Sequence, residues 1–329
     1  MSIKTPDWVK HAVFYQIFPD RFSRIVPEHQ RWLLEVPVEP WDAPPTLQGY
    51  KGGNLWGVIE QLDYLSDLGI DAIYLNPIFS SASNHRYHTL DYYTVEPLLG
   101  GNGAFEHLLK AVHQRGMKLI LDGTFNHASR GFSFFNDVLE NGPYSPWVGW
   151  FKLKDWPLAP YDGDRPANYV SWHGNRALPE FNHRNPAVRE YLMEVAEYWI
   201  RRGADGWRLD SADYIQVPGF WQEFRQRVKA INPDAYLVGE VPMELEPWLD
   251  GTQFDGASSL PLLIAITAFV VGDRQVQGHF AEYSPPAPIT AEGYGEQIDR
   301  LLQRFPWEIQ LAQLNGINNH DTARLLTVA

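Results

Sequence analysis

Short apolar runs that favour β-strands alternate with helical patterns along most of the chain, and this alternation constrains the fold more than any other feature. Several helical patterns stop at a glycine directly before the next strand, as at Gly69, Gly116 and Gly203. The predicted strands are His11–Phe18, Asp71–Phe79, Lys118–Leu121, Asp205–Leu209, Ala235–Gly239, a weak one at Phe254–Ser258 and a last one near Ile309–Leu314. The predicted helices between them are Leu55–Leu68, Ala104–Arg115, Ala187–Arg202, Phe220–Ile231, Leu260–Val271 and Gly295–Gln303.

Seven consecutive strands, most of them followed by a helical pattern, predict an α/β fold with a parallel sheet and favour a (β/α)8 TIM barrel, with an open doubly wound sheet as the alternative. The length of 329 residues suits one such barrel. Segment 127–186 is rich in proline, glycine and aromatic residues, and it predicts a small excursion domain after the third strand. The expected organisation is therefore barrel over 1–126, inserted domain over 127–186 and barrel, strands four to seven, over 187–329.

Composition excludes several classes of partner. The formal net charge of −13 disfavours nucleic acid, because an acidic surface repels phosphate backbones. No cysteine is present, which removes disulfides, thiolate metal sites and a cysteine nucleophile. The longest apolar stretch, Leu260–Val271, is too short to cross a bilayer. These features, with no visible signal peptide, predict a soluble cytoplasmic protein without nucleic-acid or membrane partners.

Ionisable side chains follow the predicted strands, at the rim where barrel enzymes carry their catalytic groups. A single aspartate at a strand end is usually a helix cap or a turn residue, but four such placements on one rim are seldom all caps. The residues at these strand ends are Asp122, Asn126 and His127, then Arg208 and Asp210, then Glu240, then His320 and Asp321.

Asp210 and Glu240 end strands that are neighbours in the predicted barrel. Neighbouring strands lie ~4.7–4.9 Å apart, which matches the ~5–5.5 Å between the carboxyl groups of retaining glycosidases. Arg208 precedes Asp210 by two residues, so both side chains point to the same side of the strand. A guanidinium there would keep Asp210 ionised, as a nucleophile requires, and Glu240 would then be the general acid.

Longer motifs resemble the α-amylase family, glycoside hydrolase family 13, over nearly the whole chain. FYQIFPDRF at Phe14–Phe22, GGNLWGVIEQLDYLSDLGI at Gly52–Ile70 and SNHRY at Ser83–Tyr87 are similar to its branch of neopullulanases, cyclomaltodextrinases and maltogenic amylases. The four blocks DGTFNH, GWRLDSAD, VGEV and NNHD occur in the family's order. The resemblance implies Asp210 as the nucleophile, Glu240 as the acid/base and Asp321 as the carboxylate that binds and distorts the sugar.

The resemblance also implies a site for the sugar at subsite −1, the one whose anomeric carbon reacts. In it, Arg208, His127 and His320 contact the sugar, Tyr87 stacks beneath it, and Asp122 braces the rim through a salt bridge to Arg208. Asn126 matches a calcium ligand of many relatives, but we expect a metal-free site with no required cofactor. The branch usually has other residues at His88, Tyr214, Pro242 and Met243, which puts acceptor preference rather than the chemical step in doubt.

The resulting expectation is a retaining hydrolase of α-1,4 bonds in maltodextrins or cyclodextrins, with α-1,6 activity left open. One alternative is an α-glucan transglycosylase, which would pass the same intermediate to a sugar hydroxyl. A catalytically silent carbohydrate-binding member is disfavoured, because Asp210, Glu240 and Asp321 are all present. A metal-dependent hydrolase is disfavoured as well, because neither a His-x-His pair on the first strand nor a His-Glu-x-x-His helix occurs.

Only seven strands can be assigned, so an eighth strand–helix unit and the family's C-terminal β-domain are expected outside this sequence. Without an eighth strand, the first and seventh strands would expose unpaired edges. We therefore expect that a further segment of the same protein, or a second polypeptide, completes the barrel. On this expectation, residues 1–329 expressed alone would be inactive and prone to aggregate.

Overall fold

The computed structural model of the chain describes residues 3–161, 163–241, 243–274, 286–322 and 324. The chain forms two compact units, Ala12–Ala235 and Met1–His11 together with Tyr236–Ala329. The predicted excursion segment 127–186 lies within the first unit, and its status as a separate domain stays a prediction. Pro242, one of the expected departures from the family, lies outside the described residues.

The unit Ala12–Ala235 is built on parallel strands with helices between them. Its strands are β1 Phe14–Ile17, β2 Ala72–Leu75, β3 Phe79–Ser81, β4 Thr89–Val95, β5 Lys118–Gly123 and β6 Gly206–Leu209. Its helices are α1 Leu55–Glu60, α2 Leu62–Asp67, α3 Gly101–Gln114, α4 Ser133–Asn141, α5 Pro186–Arg201 and α6 Phe220–Ile231. Strands β1, β2, β5 and β6 pair in that order, all parallel, whereas β3 and β4 form a separate antiparallel pair.

The core of this unit comes from the apolar runs and helical stripes that the sequence shows. Every residue of β2 and of β6 is buried, and so are five of the six residues of β5. Helix α5 buries a stripe of large side chains, of which Trp199 stacks on Phe79 at 5.1 Å between ring centroids. The indole N–H of Trp199 donates to the carbonyl of Tyr92 at 2.8 Å, so the helix is also tied to β4 by a buried hydrogen bond.

The unit that contains Tyr236–Ala329 has a smaller parallel pair. Its elements are β7 Tyr236–Gly239, β8 Gly256–Ala257, α7 Leu260–Val270, α8 Ala291–Gln303 and α9 Trp307–Gln310. Strands β7 and β8 pair in parallel, and Ser258 forms an isolated parallel bridge with Leu314. Gly256 must be glycine, because a Cβ there would lie 2.0 Å from the carbonyl oxygen of Ala312.

Several sequence-based boundaries need correction. The last predicted strand, near Ile309–Leu314, is wrong: Ile309 lies in the short helix α9, which starts after Pro306, and only Leu314 makes a bridge. The predicted helix over 55–68 is two helices that meet at Gln61. The predicted strand over 71–79 ends at Leu75, and β3 begins at Phe79. The expectation of a missing eighth unit is tested by none of these boundaries and stays a prediction.

Candidate active site

The register of the parallel strands gathers polar side chains on one face of the sheet. Asp122 of β5 lies directly opposite Arg208 of β6, and Gln16 of β1 lies opposite Tyr74 of β2. Because residues two apart share a face, Asn76 joins Tyr74 and Asp210 joins Arg208. Alternate residues such as Trp207 point the other way into the apolar core. Polar side chains on one face of a buried parallel sheet indicate a functional site on that face, because an apolar core would not need them.

Arg208 links two carboxylates at this face. Its Nη1 lies 3.0 Å from Oδ1 of Asp122 and 3.0 Å from Oδ1 of Asp210. The side chains are exposed by 3% for Arg208, 0% for Asp122 and 10% for Asp210. An opposite charge at this distance, in a place that water hardly reaches, favours the ionised form of Asp210. The structure thus has both the predicted ion pair between Asp122 and Arg208 and the predicted contact between Arg208 and Asp210.

Two phenol hydroxyls complete the surroundings of Asp122. Tyr74 donates to its Oδ2 at 2.5 Å and Tyr87 donates to the same oxygen at 2.8 Å. Burial raises the pKa of Asp122, while Arg208 and the two hydroxyls oppose that shift. Asn76 donates to the hydroxyl of Tyr87 at 3.0 Å, and Gln16 donates to Asn76 at 2.9 Å. The Tyr87 ring, expected beneath the sugar, is therefore held at its hydroxyl end.

Histidines near this face are neutral at ordinary pH. Burial lowers the pKa of His127 to about 3, with His88 adding to the shift. Burial also lowers the pKa of His85 to about 4. His127 is 1% exposed, and no described residue makes a hydrogen bond to its Nε2. A buried ring nitrogen without a protein partner suits hydrogen bonding to a ligand hydroxyl.

The loop after Asp210 is bound to the segment 127–186. Ser211 has φ 47 and ψ 42, which is the left-handed region, and its Oγ accepts a hydrogen bond from Nε1 of Trp172 at 3.0 Å. His173 also has a positive φ of 47, and its Nε2 lies 2.9 Å from the hydroxyl of Tyr214. The ring of Trp172 lies 5.7 Å from that of His127.

The remaining predicted residues belong to the other unit. Glu240 follows β7 directly and is half-buried. Asp321 lies in a turn whose backbone is bound to Asn319, with the Asp321 N–H donating to Oδ1 of Asn319 at 2.9 Å. Its carboxylate lies 3.3 Å from Nε2 of His320 and is 44% exposed, so it is far more open to solvent than Asp122 or Asp210.

Comparison with known proteins identifies the family. A family model described as alpha amylase, catalytic domain, matches residues 16–329. The chain belongs to the α-amylase family. This confirms the resemblance that the motifs carry. The catalytic domain of this family is a (β/α)8 barrel, and parallel strands with helices between them are found within each of the two units.

Similar proteins carry the names of the predicted branch. The chain is 40% identical to a cyclomaltodextrinase of Geobacillus thermopakistaniensis (strain MAS1), covering 99% of the chain and 52% of the relative. It is 38% identical to neopullulanase 2 of Thermoactinomyces vulgaris, covering 98% and 52%. A crystal structure of a debranching enzyme from Nostoc punctiforme is 62% identical with a TM-score of 0.91, covering 100% of this chain and 68% of that one. The chain spans about half the length of these curated relatives.

The calcium ligand of other α-amylase family members has a counterpart in Asn126. Its Oδ1 is buried and no described residue bonds to it, and its amide nitrogen lies 3.5 Å from Nδ1 of His127. Calcium takes about 6–8 oxygen ligands, mostly carboxylates and carbonyls. Among the described ranges, no group of three or more His, Asp or Glu side chains is arranged to hold a metal. The Asn126 oxygen would supply only one of these ligands, and the metal-free expectation stays a prediction.

Sequence reasoning missed the residues that hold the expected ones in place. Tyr74 and Asn76 are on the same face as Asp122, and the signal was available in principle, since both interrupt an apolar strand at alternate positions. Trp172 is one of many aromatic residues in loop-like parts of the sequence, so nothing local distinguishes it. Its hydrogen bond to Ser211 joins residues 39 positions apart in the sequence, which no local pattern reveals.

No helix in the described part of the chain has both the length and the apolar character needed to cross a membrane.

Proposed function

We propose that this chain carries the catalytic machinery of a retaining α-glycosidase that acts on α-glucans. The observation that carries the proposal is the contact of 3.0 Å between Arg208 and Asp210 at the end of β6. A buried guanidinium at that distance keeps a carboxylate ionised, which is the state that a nucleophile needs. Substrates are maltodextrins, cyclodextrins or related α-glucans, in line with the names of the relatives.

The proposed reaction has two displacements. First, an oxygen of Asp210 bonds to the anomeric carbon while the glycosidic bond breaks, and Glu240 gives its proton to the leaving oxygen. Next, Glu240 takes a proton from water, the water oxygen bonds to the anomeric carbon, and the bond to Asp210 breaks. Asp210 is then a carboxylate again, and Glu240 is a carboxylic acid again. Two inversions at one carbon give net retention of the α-configuration.

The other site residues have supporting roles in this proposal. Asp321 binds and distorts the reacting sugar, and Arg208, His127 and His320 contact it. Tyr87 supplies a stacking surface, because the hydrogen bonds of its hydroxyl hold its ring in place. Asp122 balances the charge of Arg208 rather than taking part in bond changes. A cytoplasmic location remains a prediction.

A second specificity is favoured by one comparison. The relative that is 62% identical is named a debranching enzyme, whereas the cyclomaltodextrinase relative is 40% identical. We therefore extend the proposal to α-1,6 bonds. Assays on maltoheptaose, β-cyclodextrin and pullulan separate these activities, because pullulan yields maltotriose when its α-1,6 bonds are cleaved and panose or isopanose when its α-1,4 bonds are cleaved. On maltotriose, products longer than the substrate would instead indicate the transglycosylase alternative.

Replacement of the nucleophile tests the mechanism, in this chain together with the segment that is expected to complete its barrel. Asp210→Asn should reduce turnover by several powers of ten, because the amide cannot form the covalent intermediate, while circular dichroism should show that the fold is retained. Proton NMR of fresh product from the unchanged chain should show the α-anomer before mutarotation. Retention of a tenth of the activity by Asp210→Asn, or a β-anomer as first product, would contradict the proposal.

A further inference from the structure

The residue that follows Asp210 has an unfavourable backbone conformation. Ser211 is left-handed, with φ 47 and ψ 42, and it precedes the single turn Ala212–Tyr214. A residue with a Cβ atom pays a steric cost in this region, so the surrounding structure must hold it there. Ser211 is bonded directly to Asp210, so its conformation sets the path of the chain as it leaves the residue that carries the carboxylate.

One side of Asp210 is fixed by the sheet. Its backbone N–H donates to the carbonyl of Gly123 at 3.1 Å, and its carboxylate meets Arg208 at 3.0 Å. These contacts precede the left-handed residue. On the far side of it, Nε1 of Trp221 donates to the carbonyl of Ala212 at 3.0 Å. Neither set of contacts engages the Ser211 side chain.

That side chain is held by the segment 127–186. Trp172 donates its indole N–H to Oγ of Ser211 at 3.0 Å, and the next residue, His173, lies 2.9 Å from the hydroxyl of Tyr214. His173 itself is left-handed, with φ 47 and ψ 29. Two neighbouring residues of one loop are thus bonded to two residues of the other, and each loop contains a left-handed residue at the contact.

We propose that Trp172 is a positioning residue for Asp210, acting through its hydrogen bond to Ser211. The indole N–H stabilises the left-handed conformation of Ser211, and that conformation keeps the Asp210 carboxylate in line for attack on the anomeric carbon. Trp172 itself takes no part in bond changes. This inference rests on the proposed function, because it assigns a support to the nucleophile of that reaction.

Trp172→Phe tests the inference, because it removes the N–H and keeps an aromatic ring. We expect kcat on maltoheptaose to fall about tenfold with KM unchanged. The steric cost of the left-handed conformation of Ser211 would then no longer be offset by the hydrogen bond, and a cost of this size corresponds to about a tenfold change in rate. Labelling of the protein by a slow-turnover fluoroglycosyl fluoride, followed by intact mass spectrometry, should slow by the same factor. The matched control is Trp147→Phe, since Trp147 lies in the same segment and stacks on Phe134. This variant should leave both kcat and the rate of labelling unchanged.

Variants of Ser211 provide a rescue test. Ser211→Ala removes the acceptor and should slow labelling as Trp172→Phe does, and the double variant should be no slower than either single one. Ser211→Asn supplies another acceptor oxygen on a residue that tolerates the left-handed region, so its rate should stay near that of the unchanged chain. If Trp172→Phe unfolds, as circular dichroism would show, the Ala and Asn variants decide the question by themselves.

Two results would overturn the inference. Trp172→Phe and Ser211→Ala could each label within twofold of the unchanged chain, or Trp172→Phe could raise KM alone, which would make Trp172 a sugar contact. Failure of the proposed function looks different. In that case the unchanged chain would carry its label on a residue other than Asp210, or Asp210→Asn would remain active.

Discussion

Asp210 and Asp321 are both expected to act on the substrate, yet their surroundings differ. The Asp210 side chain is 10% exposed and pairs with Arg208 on the polar face of the sheet. The Asp321 side chain is 44% exposed and sits in a turn beside His320. The comparison shows two ways to provide a carboxylate. Asp210 is part of the sheet, so folding and chemistry depend on the same contacts. Asp321 lies on an exposed turn, so we expect its replacement to change the stability of the fold little.

Loss of the positive charge of Arg208, which pairs with both buried carboxylates, should have the largest effect on stability. Arg208→Gln leaves Asp122 and Asp210 without their cation, and breaking a buried pair costs about 3–5 kcal/mol of unfolding free energy. Urea unfolding measures this loss. Arg31→Gln is the matched control, because Arg31 pairs with Glu28 on the exposed surface and its loss should cost less than about 1 kcal/mol. Equal losses in the two variants would show that the polar face does not depend on its ion pairs.

Loss of one hydrogen bond to the same network should have a smaller effect. Tyr74→Phe removes a buried donor to Asp122, and a hydrogen bond to a charged group contributes about 2 kcal/mol. Tyr64→Phe, at a side chain that is 52% exposed, should change the unfolding free energy by less than about 0.5 kcal/mol. A Tyr74→Phe protein as stable as the control would mean that Arg208 and Tyr87 satisfy Asp122 without Tyr74.

Buried histidines should make the unit Ala12–Ala235 sensitive to acid. Burial lowers the pKa of His183 to about 4 from its ordinary value near 6.5, so between these values the unfolded chain binds a proton that the folded chain does not. Stability therefore falls as the pH drops from about 6.5 to about 4, by at most about 1.4 kcal/mol per pH unit for this group. His127 and His85 act in the same direction, and the raised pKa of Asp122 acts against them.

His183→Gln tests this dependence at one position. Glutamine can still donate to the carbonyl of Phe125, which His183 contacts at 2.9 Å, but it cannot take up a proton. The slope of unfolding free energy against pH should become shallower between pH 4 and 6.5. His107→Gln, on an exposed part of α3, should leave the slope as it was. Identical slopes for all three proteins would contradict the assignment.

The exposed carboxylate should show the smallest effect on stability. Asp321→Asn is expected to change the unfolding free energy by less than about 0.5 kcal/mol, because its charge is largely solvated. Turnover should nevertheless fall by at least about a hundredfold if Asp321 distorts the sugar as proposed. A variant that loses stability as Arg208→Gln does would remove the contrast between the two carboxylates.

The sequence predicted the parts of this molecule that local patterns determine. Strand β5 is an apolar run that leads to Asp122, and β6 carries Arg208 directly before its end, so both the strands and the contact between Asp122 and Arg208 could be predicted. Strands β3 and β4 were missed, because their polar and aromatic residues alternate poorly and β-bulges shift their register. Helix α4 was missed because its short apolar pattern lies inside a segment dominated by loops.

Side-chain contacts between distant segments were beyond such reasoning. The bond from Tyr74 to Asp122 requires the pairing of β2 with β5, which sequence periodicity suggests but does not align. The bond from Trp172 to Ser211 requires the path of a long loop, which is set by its own packing. Local sequence patterns therefore predicted the positions of the charged groups in the unit Ala12–Ala235. The hydrogen bonds that hold these groups depend on the tertiary structure.

The alignment of Asp122 with Arg208 also bears on how the chain folds. A slip of β6 by one residue along β5 would turn every β6 side chain to the opposite face, so that an apolar residue such as Trp207 would replace Arg208 beside Asp122. That sheet would bury charges without partners, which is among the most costly arrangements in a protein interior. Misaligned chains should therefore reopen quickly, and the same ion pairs that prepare Asp210 for reaction would select the correct strand pairing during folding.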